Sequence, residues 1–161
     1  RRYRVEAPLL GEHNVSNMLA AFGVGMALGI PVDLVLDGIT ELGGVPGRFE
    51  RVDAGQDFLV LLDYAHTPDA LEHAIRSVRS LTEGRVITVF GCGGERDRGK
   101  RPRMGDIATA LSDYVVLTSD NPRGEAPGRI LEEISRGVSR YNYLVLPDRE
   151  EAIRRAVGMA G

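Results

Sequence analysis

In Tyr114-Val115-Val116-Leu117-Thr118-Ser119-Asp120-Asn121-Pro122-Arg123 a β-branched apolar run turns abruptly into a polar cluster. The run reads as a buried strand, Asn121-Pro122 as a turn, and Ile130, Leu131, Ile134 and Val138 then recur at helical spacing. A strand that ends in a polar turn before a helix is half of a strand–helix–strand unit. The carboxyl edge of such strands is where open α/β sheets bind ligands.

Outward from this stretch the same grammar repeats. Strand-like runs end near Asp63, Phe90, Thr118 and Leu146, at spacings of roughly 28 residues. Between them lie helical patterns: Leu71, Ala74, Ile75, Val78 and Leu81; then Met104, Ile107, Ala108 and Leu111; the last holds Ala152, Ile153, Ala156 and Val157. Thr67-Pro68 supplies an N-cap and a first-turn proline, and Asp148 with Glu151 resembles a capping box. Phe58–Leu62 and Val86–Phe90 are nearly continuous apolar runs, as expected for strands buried on both faces. The predicted fold class is α/β, a Rossmann-like three-layer domain with a mostly parallel sheet.

The N-terminal region has a different texture. Tyr3–Leu10 alternates enough to predict a short strand. Glu12 to Leu28 predicts an alanine-rich apolar helix, and Pro31 opens a second helix through Val35 and Ile39. Gly43-Gly44-Val45-Pro46-Gly47 is a breaker cluster and the candidate domain boundary.

At 161 residues, 43% hydrophobic and 27% charged, the composition is that of an ordinary globular protein with room for one full domain and part of a second. A formal charge of -3 provides no global field for nucleic acid, and no apolar stretch approaches a membrane span. Cys92 is the single cysteine, so no internal disulfide is possible, which fits a reducing compartment. His13, His66 and His73 are scattered and match no metal-site spacing.

Three successive strand ends carry polar clusters: Asp63-Tyr64-Ala65-His66-Thr67-Pro68, Gly91-Cys92-Gly93-Gly94-Glu95-Arg96-Asp97-Arg98-Gly99-Lys100-Arg101-Pro102, and Asp120–Arg123. Each alone has a bland reading as a turn, a packed loop histidine or a solvated charge run. Their expected convergence on one sheet edge points instead to a ligand site. The second cluster lacks the last glycine of G-x-G-x-x-G, and its helix is expected only after Pro102, both against dinucleotide binding. Arg96 and Arg123 each present a planar fork of donors suited to carboxylates, and Asn121 offers donor and acceptor together. Asp120 either accepts from an ammonium or fixes the turn, the latter slightly favoured. Pro122 restrains Arg123.

These segments resemble the Mur ligase family, which assembles the peptide stem of bacterial cell-wall precursors. Gly11-Glu12-His13-Asn14-Val15-Ser16-Asn17 resembles the asparagine-bearing helix at the end of the family's central ATPase domain. Gly47-Arg48-Phe49-Glu50 resembles its arginine at the interdomain junction, and Asp63–Pro68 a nucleotide contact of the C-terminal domain. The glycine–arginine loop and Asp120–Arg123 resemble the amino-acid site of members that add meso-2,6-diaminopimelate.

The resemblance implies residues 1–46 as the tail of the central domain and 47–161 as the C-terminal domain. It implies ATP as a substrate, bound through Asn14, Asn17, Arg48, Asp63 and His66, with Arg48 also catalytic (its alternative is an ion pair with Glu50). Arg96, Asp120, Asn121, Pro122 and Arg123 would bind diaminopimelate, and UDP-N-acetylmuramoyl-L-alanyl-D-glutamate would be the acceptor. Mg2+ would accompany ATP on ligands outside this segment. The implied setting is cytoplasmic, with a monomer expected and neither nucleic acid nor membrane as partner. No G-x-x-x-x-G-K-[ST] loop occurs, and the chain stops before a further glycine-, histidine- and glutamate-containing family motif. It is therefore expected to be a fragment, inactive alone. A lysine-adding member, a folylpolyglutamate-synthetase-like ligase and a non-catalytic anion-binding module are the competing readings.

Overall fold

The structure, a computed structural model, describes residues 2–160. The chain divides into two compact units, Arg1–Tyr64 and Ala65–Gly161.

In the first unit, α1 (Glu12–Ala27) and α2 (Val32–Glu41) pack on each other. Gly25 makes their close approach possible, because a Cβ there would lie 2.7 Å from a methyl of Val35. An antiparallel pair follows, β1 (Glu50–Val52) with β2 (Val60–Leu62), in which Glu50 faces Leu62. The turn between them is local: the Gly55 N–H donates to Asp53 Oδ1 at 3.1 Å, with Gly55 at φ 84°.

Two expectations fail here. Tyr3–Leu10 forms no strand, because no neighbouring strand offers its backbone a ladder. β2 is not a buried strand of the parallel sheet: it pairs with β1, and Leu62 is half exposed. An apolar run shows that a strand is favourable but not which edge it will join.

The second unit opens with α3 (Pro68–Leu81), capped where Thr67 Oγ1 accepts from the Ala70 N–H at 3.3 Å. Then come β3 (Ile87–Phe90), α4 (Lys100–Leu111), β4 (Tyr114–Leu117), α5 (Pro127–Ser135), β5 (Tyr143–Val145) and α6 (Arg149–Ala160). The three strands form a parallel sheet in the order β3-β4-β5, with Ile87 opposite Tyr114 and Val115 opposite Tyr143.

Strand alternation sends β4 into two cores. Val115 and Leu117 join Leu71, Ile75, Met104, Ala108, Ile130 and Ile134, so α3, α4 and α5 cover one face. Val116 turns the other way, onto Ala152 and Ala156 of α6. The result is a three-layer α/β sandwich, as predicted. α4 begins at Lys100 rather than after Pro102, since a proline in the first helical turn removes only an N–H that has no intrahelical partner there. α6 starts as expected, with the Glu151 N–H on Asp148 Oδ1 at 2.9 Å.

Candidate functional site

In the second unit the loops after β3 and β4 interlock. The Gly94 N–H donates to the Asn121 carbonyl at 2.9 Å, and Arg123 Nη1 donates to the Gly94 carbonyl at 2.7 Å and to that of Asn121 at 3.4 Å. Two side chains lock reciprocally: the Glu95 N–H donates to Glu125 Oε1 at 2.6 Å, and the Gly124 N–H to Glu95 Oε1 at 3.3 Å. Both loops need left-handed backbone at a non-glycine residue, Glu95 at φ 52° and Arg123 at φ 50°. Such conformations persist only where the surroundings over-determine them.

Arg123 is exposed, and only its Nη1 is occupied by the protein among the described residues. Among those residues its Nε and Nη2 make no hydrogen bond, an edge that suits a carboxylate side-on. The turn is closed by the Glu125 N–H on the Pro122 carbonyl at 3.0 Å. Asp120 is exposed and its carboxylate makes no hydrogen bond among the described residues, against the slight preference for it as the turn's fixing acceptor. Arg96 is also exposed, without an ion pair among the described residues, and follows directly on Glu95 of the lock. His66 lies just before α3, its carbonyl accepting from Lys100 Nζ at 2.6 Å.

The densest charge lies beneath these loops. Arg101 is 0% exposed, its guanidinium forked onto Glu125 with Nη1–Oε2 at 2.9 Å and Nη2–Oε1 at 2.8 Å. Nη1 also reaches Glu133 Oε2 at 2.6 Å and Nη2 the Gly93 carbonyl at 3.1 Å. Arg98 pairs with Glu133 from outside. Glu125 is held down to about 2, first by the Arg101 hydrogen bonds and then by the Glu95 N–H. Glu133 is likewise held down to about 2, first by Arg98 and then by Arg101. Cys92 is buried against Met104 Sδ at 3.7 Å, and desolvation pushes its thiol up to about 11, so it stays protonated at neutral pH.

In the first unit Asn14, Asn17, Arg48 and Asp63 line one cleft of about 950 Å3, whose walls include Met18, Leu34 and Ile39. Asn14 Nδ2 donates to the Leu10 carbonyl at 2.7 Å and Asn17 Nδ2 to Asn14 Oδ1 at 3.1 Å, so the two amides are ordered as a pair. Asp63 Oδ2 accepts from the Phe49 N–H at 3.0 Å, pinning a residue at φ 51° beside Arg48. Arg48 lies over the Tyr64 ring at 4.7 Å from its centroid. The alternative ion pair with Glu50 is not formed: Glu50 Oε2 takes the Gly47 N–H at 2.7 Å. Among the described residues no group of three or more His, Cys, Asp or Glu could hold a metal ion.

Residues 47–161 match the family model for the Mur ligase glutamate ligase domain. The chain belongs to the Mur ligase family. It is 54% identical over 159 residues to the UDP-N-acetylmuramoyl-L-alanyl-D-glutamate–2,6-diaminopimelate ligase of Solibacter usitatus, covering 98% of this chain and 32% of that protein. The ligase of the same name from Fusobacterium nucleatum is 47% identical, over 98% of this chain and 33% of its own length. This Mur ligase chain thus spans about a third of the length of these relatives. A solved diaminopimelate ligase structure, 38% identical, superposes with a TM-score of 0.70 over 99% of this chain and 33% of that one. A folylpolyglutamate synthase from Mycobacterium tuberculosis, at 22% identity and TM-score 0.76 over 96% of this chain and 35% of its own, shares the fold.

The Mur ligase residues that sequence reasoning missed are the buried ones. Arg101 reads as one more cation in a basic run, and Glu125 and Glu133 belong to none of the motifs singled out above. Their partnership spans 24 and 32 positions, so no local pattern announces it. The expected sharing of one sheet edge holds within the second unit for the loops after β3 and β4, joined there by His66, whose carbonyl accepts from Lys100 Nζ. Asp63 instead follows β2 of the antiparallel pair in the first unit.

Proposed function

We propose that this chain is part of a longer ATP-dependent ligase that joins meso-2,6-diaminopimelate to UDP-N-acetylmuramoyl-L-alanyl-D-glutamate in cytoplasmic cell-wall precursor synthesis. In this reading residues 1–46 belong to a central ATPase domain and 47–161 to a C-terminal domain that delivers the amine. The D-glutamate carboxylate takes the γ-phosphoryl group of ATP, with ADP leaving, which turns a poor electrophile into an acyl phosphate. The incoming ammonium first loses one proton. The free amine then attacks the acyl carbonyl, phosphate departs with the C–O bond, and the nitrogen sheds a second proton to leave a neutral amide. What the protein supplies is mainly position and charge.

The observation that carries this reading is the open Nε–Nη2 edge of Arg123. It is held at a parallel-sheet edge beside exposed Arg96, Asp120 and Asn121. Diaminopimelate differs from lysine by one carboxylate, and an immobilised guanidinium edge distinguishes the two. Asp120, whose carboxylate makes no hydrogen bond among the described residues, would take an ammonium. Asn14, Asn17, Arg48 and Asp63 would take ATP, with His66 contributing from the start of α3. No carboxylate cluster suited to Mg2+ accompanies them among the described residues, and the ion's ligands are proposed to lie in other parts of the longer ligase.

The test is a titration of the full-length ligase carrying this segment. Arg123→Ala should weaken diaminopimelate binding by roughly 2–5 kcal/mol and leave ATP binding nearly unchanged. Unaltered amino-acid affinity would remove Arg123 from the site. Lysine serves as the control ligand, which the unmutated protein should bind more weakly.

A further inference from the structure

We propose that Arg101 is a positioning residue for the amino-acid site: its buried guanidinium ties Gly93 to Glu125 and thereby holds the turn that displays Arg123. The inference rests on the reading of Arg123 as a ligand for the incoming amino acid.

Arg101 cannot touch a substrate itself, being fully enclosed. Its contacts nevertheless join four segments of the second unit. Arg101 comes from the first turn of α4, Gly93 from the loop after β3, Glu125 from the turn after β4, and Glu133 from α5. One bidentate fork therefore fixes both position and plane of the Glu125 carboxylate. Glu125 in turn takes the Glu95 N–H, and Glu95 takes the Gly124 N–H. Arg123 lies between these anchors, in a backbone conformation that nothing intrinsic to arginine favours.

A plain stability role explains this network less well. Buried charges are costly to desolvate, and apolar side chains of equal volume serve stability as well or better. What apolar packing lacks is direction. Two carboxylates around one planar guanidinium leave the loops a single register, and the Arg123 edge inherits it. The ring of contacts is ionised at neutral pH, as both glutamates titrate far below it.

Two readouts test the idea, and both use variants that keep the site's volume: Glu125→Gln, which sets an amide donor against a guanidinium donor, and Arg101→Lys, which keeps the charge but loses the fork. In the 161-residue chain, amide exchange at Glu95 and Gly124 should quicken by about tenfold or more in either variant, with Val116 of β4 unchanged. In the full-length ligase the diaminopimelate KM should rise by about tenfold, with the ATP KM within about twofold. Unchanged exchange at Glu95 and Gly124, or a lowered Tm with an unchanged diaminopimelate KM, overturns the positioning role. Arg123→Ala, run in parallel, separates the two readings. If it too leaves amino-acid affinity intact, the ligand assignment fails, whereas a loss confined to Arg123→Ala sinks only the role of Arg101.

Discussion

Gly94 shows how little room the interlocked loops leave at single residues. A Cβ built on it would lie 1.9 Å from the Pro122 carbonyl oxygen, a backbone atom that cannot step aside alone. Gly91 is nearly as tight, 2.2 Å from the carbonyl of Thr118. These glycines are therefore needed for close loop-to-loop approach. Gly94→Ala is expected to cost about 1–3 kcal/mol, read from the shift in urea midpoint at constant slope. A midpoint within error of the unmutated chain would mean that the two loops part easily. The neighbouring arginines divide the same way. Arg96 and Arg123 offer open donors to solvent, while Arg101, five positions from Arg96, offers none.

At the scale of elements, most of the second unit is legible in the order of its residues. Val115-Val116-Leu117 reads as a strand buried on both faces because apolar side chains at successive positions must point to opposite sides, and each side has its own core. Thr67-Pro68 and Asp148–Glu151 mark helix starts because capping needs only residues within one turn. The failures fall where an element depends on a distant partner. Nothing local signals β1, Tyr3–Leu10 carries a strand pattern yet forms none, and β2 joins β1 instead of the parallel sheet.

The inter-element ion network makes a prediction at this scale. Glu125 and Glu133 are held down to about 2, and Asp113 is held below its ordinary value first by the Val86 N–H and then by Arg79. A carboxylate whose folded pKa is depressed contributes fully above its unfolded value, and the contribution fades as pH falls towards the folded one. Stability of the second unit should therefore be flat from neutral pH down to about 5 and fall between about 4.5 and 2. Glu125→Gln should flatten part of that acid limb. Thermal melts at intervals of pH would show it, and an equally steep limb in the variant would exclude Glu125 as a contributor.

For the whole molecule, the two units are unequal by their own interiors. Among the described residues, the buried apolar side chains of the first unit are Ile39 and Phe49, whereas Leu19, Leu28 and Leu34 are exposed at 67%, 72% and 62%. In the second unit Val115, Val116, Leu117 and Ile134 are all at 0%. Local opening free energy follows such burial. Limited proteolysis of this chain should therefore cut first within Arg1–Tyr64 and leave a resistant product retaining β3, β4 and β5. Early cleavage within Ile87–Val145 would contradict this ranking.

From the sequence alone came the α/β class, the parallel strands near their true ends, the helix caps and the family motifs, because all of these depend on neighbours within a turn or a strand. Only the tertiary structure decided which charges are spent on one another and which face outward. Arg101 and Arg96 are the same residue type in the same basic run. What separates them is two carboxylates carried in from 24 and 32 positions away by the chain's crossing to the next strand and helix. Coulombic pairing depends on distance in space, and no spacing along the chain encodes it.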